Sequence, residues 1–171
     1  MTVTTTESTS ATITEQQLGI LFQYTIEAYK TFEKLAENLP NPMAAATFKQ
    51  FALDERENRD LLELKVNAPG NRRVRVTLGG DMLFQEMIEG DLSYREMTEF
   101  LIGRERTMQR KLRELQQSAP ASDRNLLVYL EATKRAHIVE LERELELIKV
   151  DADWYRREDA QWRIVHGHPT T

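Results

Sequence analysis

The chain has 171 residues, among which 23 lysines and arginines face 28 aspartates and glutamates, and it contains no cysteine. This length favours one domain, and the lack of cysteine excludes disulfides, thiolate metal sites and iron–sulfur clusters. A formal charge of −5 gives no general attraction to nucleic acid or to anionic membranes. No apolar run reaches the ~20 residues of a membrane span, and no secretory signal is recognisable, so a cytoplasmic protein is expected.

The first two helices are marked by clear capping signals. Thr14 and Gln17 form a capping box, and the apolar period that follows predicts a helix to about Asn38. Asn41-Pro42 supplies a cap and a proline suited to the first helical position, so a second helix begins there. Pro69-Gly70 ends this second helix. Residues before the first helix are rich in Ser and Thr, and a disordered tail is predicted over 1–12.

The second half of the chain predicts two more long helices after a longer connection. Residues 71–80 alternate apolar and polar side chains, which indicates a short extended segment, and 82–89 form a short predicted helix. Ser93 and Glu96 make another capping box that opens a third helix to about Gln117. A fourth helix is predicted over 123–150, with Pro120, Ser122 and Asp123 marking the turn and cap that precede it. Four long amphipathic helices are typical of an all-α four-helix bundle, here over 13–150. The aromatic segment 151–171 is predicted to be a C-terminal helical extension.

Several polar residues fall inside the apolar stripes that helical phase assigns to the four helices. These predicted interior positions are Thr25, Glu55, Asn58, Arg104, Thr107, Lys134 and His137. The same phase places Glu27, Glu105 and Glu131 outside the core. Because buried charges must be paired, we expect Glu55 to pair with both Arg104 and Lys134.

The local patterns of the four helices resemble rubrerythrin and its ferritin-like relatives over residues 18–149. The stretches that carry the resemblance are LFQYTIEAYKTF, ALDERENRDLL, FLIGRERTM and LEATKRAHIVEL. Ala28, Phe32 and Gly103 match residues that neighbour ligands in that family. The resemblance implies a ferritin-like bundle with a longer connection between the second and third helices, and it implies a homodimer.

The di-iron site of that family uses four carboxylates and two imidazoles that face inward. Only two of those six positions keep a ligand residue here, namely Glu55 and His137. The other four hold Thr25, Asn58, Arg104 and Lys134, while Thr107 replaces an additional family glutamate. The absence of cysteine also excludes the rubredoxin-like iron domain of typical rubrerythrins. The resemblance therefore implies a bundle that has lost most of its di-iron ligands.

Two hypotheses concern the core. In the first, the di-iron centre is lost, and the polar core is a structural salt-bridge network or holds a small anion beside Arg104 and Lys134. In the second, the protein is a metal-binding oxidoreductase with rubrerythrin-like peroxide or iron redox chemistry. Glu55 and His137, with or without Asn58, would then hold iron or zinc. A rotation of the helices would bring other glutamates into that site: Glu27, Glu105 and Glu131.

A third hypothesis assigns the chain a scaffold or interaction role without catalysis. Dimerisation would then use the bundle face, residues 72–78 and the aromatic C-terminal segment. No catalytic residue can be assigned from the sequence, and nucleic acid and membranes are not expected as partners.

Overall fold

A computed structural model describes most of the predicted bundle. The described residues are 13–39, 41–66, 92–151, 153, 156, 157 and 160. The predictions for 1–12, 71–80, 82–89 and most of 151–171 lie outside them.

Four long helices make up the described part of the chain, which contains no strand. Helix α1 spans Glu15–Asn38, α2 spans Pro42–Val66, α3 spans Tyr94–Ser118 and α4 spans Ala121–Val150. The predicted all-α bundle of four helices is therefore confirmed. None of the described helices combines the length and the apolar character that crossing a membrane requires.

The helix starts confirm three of the capping predictions. The capping boxes of Thr14 with Gln17 and of Ser93 with Glu96 are both formed, each through two reciprocal hydrogen bonds. The Asn41 side chain accepts hydrogen bonds from the backbone N–H groups of Met43 at 2.8 Å and Ala44 at 3.3 Å. These side chains replace hydrogen bonds that the first turn of a helix cannot make internally.

Helix α4 begins two residues earlier than predicted. Its cap residue is Pro120, whose carbonyl accepts the N–H groups of Asp123 and Arg124 at 3.0 and 2.9 Å. Asp123 is therefore not the cap. Its side chain is buried and forms an ion pair with Lys65, which ties the end of α2 to the start of α4.

Two contacts at opposite ends of the bundle define the helix directions. Lys65 near the end of α2 pairs with Asp123 near the start of α4. At the other end, the Tyr94 hydroxyl at the start of α3 donates to Glu144 near the end of α4, at 2.6 Å. Helices α2 and α3 therefore run in the same direction, so the end of α2 and the start of α3 lie at opposite ends of the bundle.

The bundle consists of two closely packed hairpins, α1–α2 and α3–α4, which meet each other less closely. Apolar side chains form two separate clusters along the bundle. One cluster contains Phe32, Phe48 and Leu141, and the other contains Leu18 and Leu112. Buried polar side chains from all four helices lie in the same interior, and they form the candidate site.

Candidate functional site

The structure buries five of the seven polar residues that were predicted to face the interior. These are Thr25, Glu55, Asn58, Lys134 and His137. The other two predictions are wrong. Thr107 is exposed, and Arg104 is half-buried in a pocket between α1 and α3. Glu105, which was predicted to point away, is only 2% exposed and faces the core in place of Arg104.

Glu105 faces the core in place of Arg104 because of charged side chains on another helix. Leu101 and Met108 are both buried, and positions 104 and 105 lie almost symmetrically between them on α3. Lys134 and His137 on α4 face this position, so a carboxylate gains buried partners there. The Arg104 side chain is instead half-buried, with the guanidinium 5.8 Å from the Tyr24 ring centroid.

Lys134 joins the two buried carboxylates. Its ammonium pairs with Oε1 of Glu55 and lies 3.6 Å from Oε2 of Glu105. The prediction that Glu55 pairs with Lys134 is thus confirmed, whereas the expected pairing with Arg104 is not seen. Burial lowers the pKa of Lys134 from 10.5 to about 7, although the negative charge of Asp54 acts in the opposite direction. The Lys134 ammonium therefore has carboxylate partners in the core, but it has lost the water that surrounds an exposed lysine.

His137 is oriented by a carboxylate on one side and faces two carboxylates on the other. Its Nε2 lies 3.0 Å from Oδ2 of Asp54, while Nδ1 lies 3.3 Å from Oε2 of Glu105 and 3.7 Å from Oε1 of Glu55. Because the Asp54 carboxylate accepts this hydrogen bond, Nε2 carries a proton, and Nδ1 is the ring nitrogen that faces the two buried carboxylates. The Phe51 ring packs 4.1 Å from the imidazole, centroid to centroid, and restricts its rotation.

The charge state of Asp54 suits this orienting role. Burial raises its pKa, but hydrogen bonds from His137 and Gln50 outweigh that effect and hold the pKa below its usual range. Asp54 therefore stays an acceptor for Nε2. Carboxylates commonly orient histidines in this way when the other ring nitrogen binds a metal.

Tyr24 fixes the second carboxylate from α1. Its hydroxyl donates to Oε1 of Glu105 at 3.1 Å, and its ring lies 5.0 Å from the Lys134 ammonium. Burial and the nearby charge of Glu105 raise the pKa of Tyr24 well above its usual value, so the phenol stays a hydrogen-bond donor. This leaves Oε2 of Glu105 directed at His137.

Glu55, Glu105 and His137 share one feature. One polar atom of each side chain is already bound: Lys134 pairs with Glu55, Tyr24 donates to Glu105, and Asp54 accepts from His137. A second polar atom of each side chain has no hydrogen-bond partner. These three buried atoms are Glu55 Oε2, Glu105 Oε2 and His137 Nδ1. Buried polar atoms are rarely left without a partner, so such a group indicates a missing proton or cation.

The geometry fits a single metal ion. One potential ligand atom from each of Glu55, Glu105 and His137 lies within 4.8 Å of the others. Metal bonds of about 2.1 Å separate neighbouring ligand atoms by roughly 3.0–3.4 Å, which is close to the observed spacing of Nδ1 and the Glu105 oxygen. No other group of three or more such side chains comes together among the described residues.

The donor set does not fit a dinuclear cluster. A small cavity of about 10 Å³ lies beside Lys134, and its polar lining is Tyr24, Thr25, Asn58 and Lys134. These side chains supply no further carboxylate or imidazole, and Lys134 brings a positive charge. The ligand set of a di-iron centre is therefore incomplete in the described core.

The two other glutamates considered for a rotated arrangement do not reach the site. Glu131 accepts hydrogen bonds from two side chains of α3, Gln109 at 2.8 Å and Arg113 at 3.1 Å. Glu27 accepts one from Gln23 at 3.2 Å. Only Glu105 of this group joins Glu55 and His137.

The expected small-anion site loses its basis in the same rearrangement. It required a surplus of positive charge from Arg104 and Lys134. With Glu105 in place of Arg104, the core instead places two carboxylates around one ammonium and one imidazole. Such a cluster lacks the surplus of positive charge on which the small-anion hypothesis depended.

No protein-family model, curated protein or solved structure matches this chain. The homodimer that the rubrerythrin resemblance implies stays a prediction.

Proposed function

We propose that this chain is a ferritin-like bundle whose core binds one divalent transition-metal ion through Glu55, Glu105 and His137. The observation that carries the proposal is the convergence of three buried atoms that lack hydrogen-bond partners, on side chains that are each anchored through another atom. Carboxylate and imidazole ligands together suit ions such as Fe²⁺, Mn²⁺ and Zn²⁺. Three protein ligands leave at least one coordination position open to water.

The direction of the chain supports the ferritin-like part of the proposal. Helices α2 and α3 run in the same direction, as the second and third helices of a ferritin-like bundle do. The three proposed ligands also come from three different helices. The site lies where the two hairpins meet, which is where side chains from facing helices build such centres.

The same residues argue against transferring the family's redox chemistry. Lys134 and Asn58 stand where the resemblance expects a glutamate and a histidine, so a second ion has too few ligands. A single bound ion would supply Lewis-acid chemistry and lower the pKa of a coordinated water. We therefore propose a mononuclear centre, without peroxide reduction at a di-iron site.

A second candidate function is a metal-free structural core. It is favoured by the position of Lys134, whose ammonium lies between the carboxylates of Glu55 and Glu105 and supplies counter-charge without a metal. A protonated His137 would supply the second positive charge that the two carboxylates of Glu55 and Glu105 require. In that case the cluster only connects the two hairpins of the bundle, and added metal ions have no effect on stability.

Metal titration distinguishes the two candidates. Full-length protein without an affinity tag, stripped with a chelator, is expected to bind one Co²⁺ per chain with visible d–d absorption. Saturation at 100 times the dissociation constant should raise the free energy of unfolding by about 2.7 kcal/mol, by mass action. Zn²⁺ should displace the Co²⁺ signal.

Two glutamate variants on the same hairpin test the position of the ion. Glu105→Gln removes a proposed ligand and should weaken Co²⁺ binding at least tenfold. Glu131→Gln changes a carboxylate that is also buried but lies outside the site, so it should leave the affinity unchanged. Absence of saturable binding, equal affinities of the two variants, or two ions per chain would each contradict the mononuclear centre.

A further inference from the structure

An acidic groove on one side of the bundle reaches the candidate site from the surface. It lies between α2 and α4, which meet less closely than helices within a hairpin, and its cavity volume is about 460 Å³. His137 and Asp54 form its inner end, and Ala46 and Ala136 are small exposed residues along it.

The charges of this groove favour a cation. Asp54 and Glu140 line it, and no lysine or arginine occurs among the described residues of its lining. The Asp54 side chain is 32% exposed, while the imidazole that it contacts is 1% exposed. Glu140 pairs with Arg143 at 3.5 Å outside the groove, in an exposed contact that is weak in water. Asp54 therefore lies at the boundary between solvent and the core.

The opposite side of the bundle offers a less suitable entrance. The pocket between α1 and α3 has a volume of about 250 Å³ and is lined by Arg104 and Lys111. Its one carboxylate, Glu27, accepts a hydrogen bond from Gln23. The Tyr24 ring separates this pocket from Glu105. Two positive side chains repel a divalent ion there.

We propose that the groove between α2 and α4 is the route by which a divalent cation enters and leaves the core, with Asp54 as its first contact. This inference rests on the proposed metal centre. Asp54 attracts the ion at the surface, and the ion then passes the edge of His137 to reach Glu55 and Glu105. The electrostatic funnel raises the entry rate without contributing a ligand to the final site.

Filling the groove should therefore change rates but not affinity. Ala136 is exposed, so Ala136→Leu fills the passage without disturbing the core. In stopped-flow experiments with the full-length protein and Co²⁺, this variant should bind at least tenfold more slowly than the unmodified protein. Release of Co²⁺ to a chelator should slow by the same factor, because an unchanged equilibrium constant requires equal changes in both rates.

Thr107→Leu is the matched control, since Thr107 is exposed and lines the pocket between α1 and α3. It should leave both rates within twofold of the unmodified protein. Unchanged rates in Ala136→Leu, or slower rates in Thr107→Leu alone, would overturn the route while leaving the metal centre intact. Absence of Co²⁺ binding to the unmodified protein would overturn both.

Discussion

Replacing Glu55 by glutamine is expected to lower the free energy of unfolding of the metal-free protein by about 3–5 kcal/mol, the usual cost of breaking a buried ion pair. Glu55 is 0% exposed and pairs with the Lys134 ammonium, which is itself only 2% exposed. A glutamine amide has a similar shape but cannot balance that charge. Urea denaturation followed by circular dichroism measures the loss, and Glu55→Gln should also weaken Co²⁺ binding at least tenfold.

The loss in Glu55→Gln should depend on pH. The pKa of Lys134 in the folded protein is about 7, against 10.5 for an unburied lysine. Below pH 7 the folded protein carries the ammonium, which the glutamine leaves without its main partner. Above pH 7 the folded protein releases that proton while the unfolded chain keeps it, so the lost partner matters less. The destabilisation is therefore expected to be larger at pH 6 than at pH 8.5.

Glu63→Gln is the control for this substitution. Glu63 is exposed on the same helix, so removal of its charge should change the free energy of unfolding by less than about 0.5 kcal/mol. A loss below ~0.5 kcal/mol for Glu55→Gln as well would show that the cluster is hydrated, and that the buried pairing is wrong.

Replacing Lys134 by methionine should have opposite effects on the stability of the metal-free protein and on its affinity for metal. Without metal, Glu55 and Glu105 lose their counter-ion, and the free energy of unfolding should fall by about 3 kcal/mol or more. With metal, the variant should bind at least tenfold more tightly, because no ammonium competes for the carboxylates. Denaturation with and without Zn²⁺ should therefore show a larger metal-dependent gain in Lys134→Met than in the unmodified protein.

Lys49→Met serves as its control, since Lys49 is exposed on α2. It should alter neither the stability nor the response to Zn²⁺. If Lys134→Met instead bound metal more weakly, Lys134 would be part of the ligand set. If its loss of stability were the same with and without Zn²⁺, the metal-free structural core would be the better description.

Local signals in the sequence were sufficient to predict the four helices that the structure describes. The capping boxes at Thr14 and Ser93 and the cap at Asn41 depend only on residues within one turn, so they fold as predicted. The start of α4 was misplaced because Asp123 has the chemistry of a cap residue but is used in a tertiary ion pair with Lys65. A pairing partner far along the chain is not visible in a local pattern.

The candidate site shows the same difference between residues that a local pattern predicts and residues whose position depends on a distant partner. Glu55, Asn58, Lys134 and His137 were predicted to be buried because apolar neighbours define their helix faces. On α3, the apolar residues alone allow either Arg104 or Glu105 to face inward, and the choice depends on the charges of α4. A pairwise comparison of charges across facing helices would have favoured Glu105, because Lys134 and His137 had already been assigned to the interior.

Asp54 and Tyr24 were not identified from the sequence for a related reason. Each is the residue immediately before a predicted interior position, Glu55 and Thr25 respectively, and lies at the edge of the buried stripe. Their roles depend on contacts with His137 and Glu105, which are 83 and 81 positions away in the chain. Residues that orient ligands are therefore harder to predict than the ligands themselves.

The most direct test of the proposed metal centre is a crystal structure of the Zn²⁺-loaded protein with anomalous data collected at the zinc edge. One anomalous peak is expected in the core, about 2.0–2.2 Å from a carboxylate oxygen of Glu55, a carboxylate oxygen of Glu105 and Nδ1 of His137. The Lys134 ammonium should have moved away from at least one of the two carboxylates. Absence of a peak, with Lys134 still between Glu55 and Glu105, would contradict the metal centre and leave a structural ion-pair cluster.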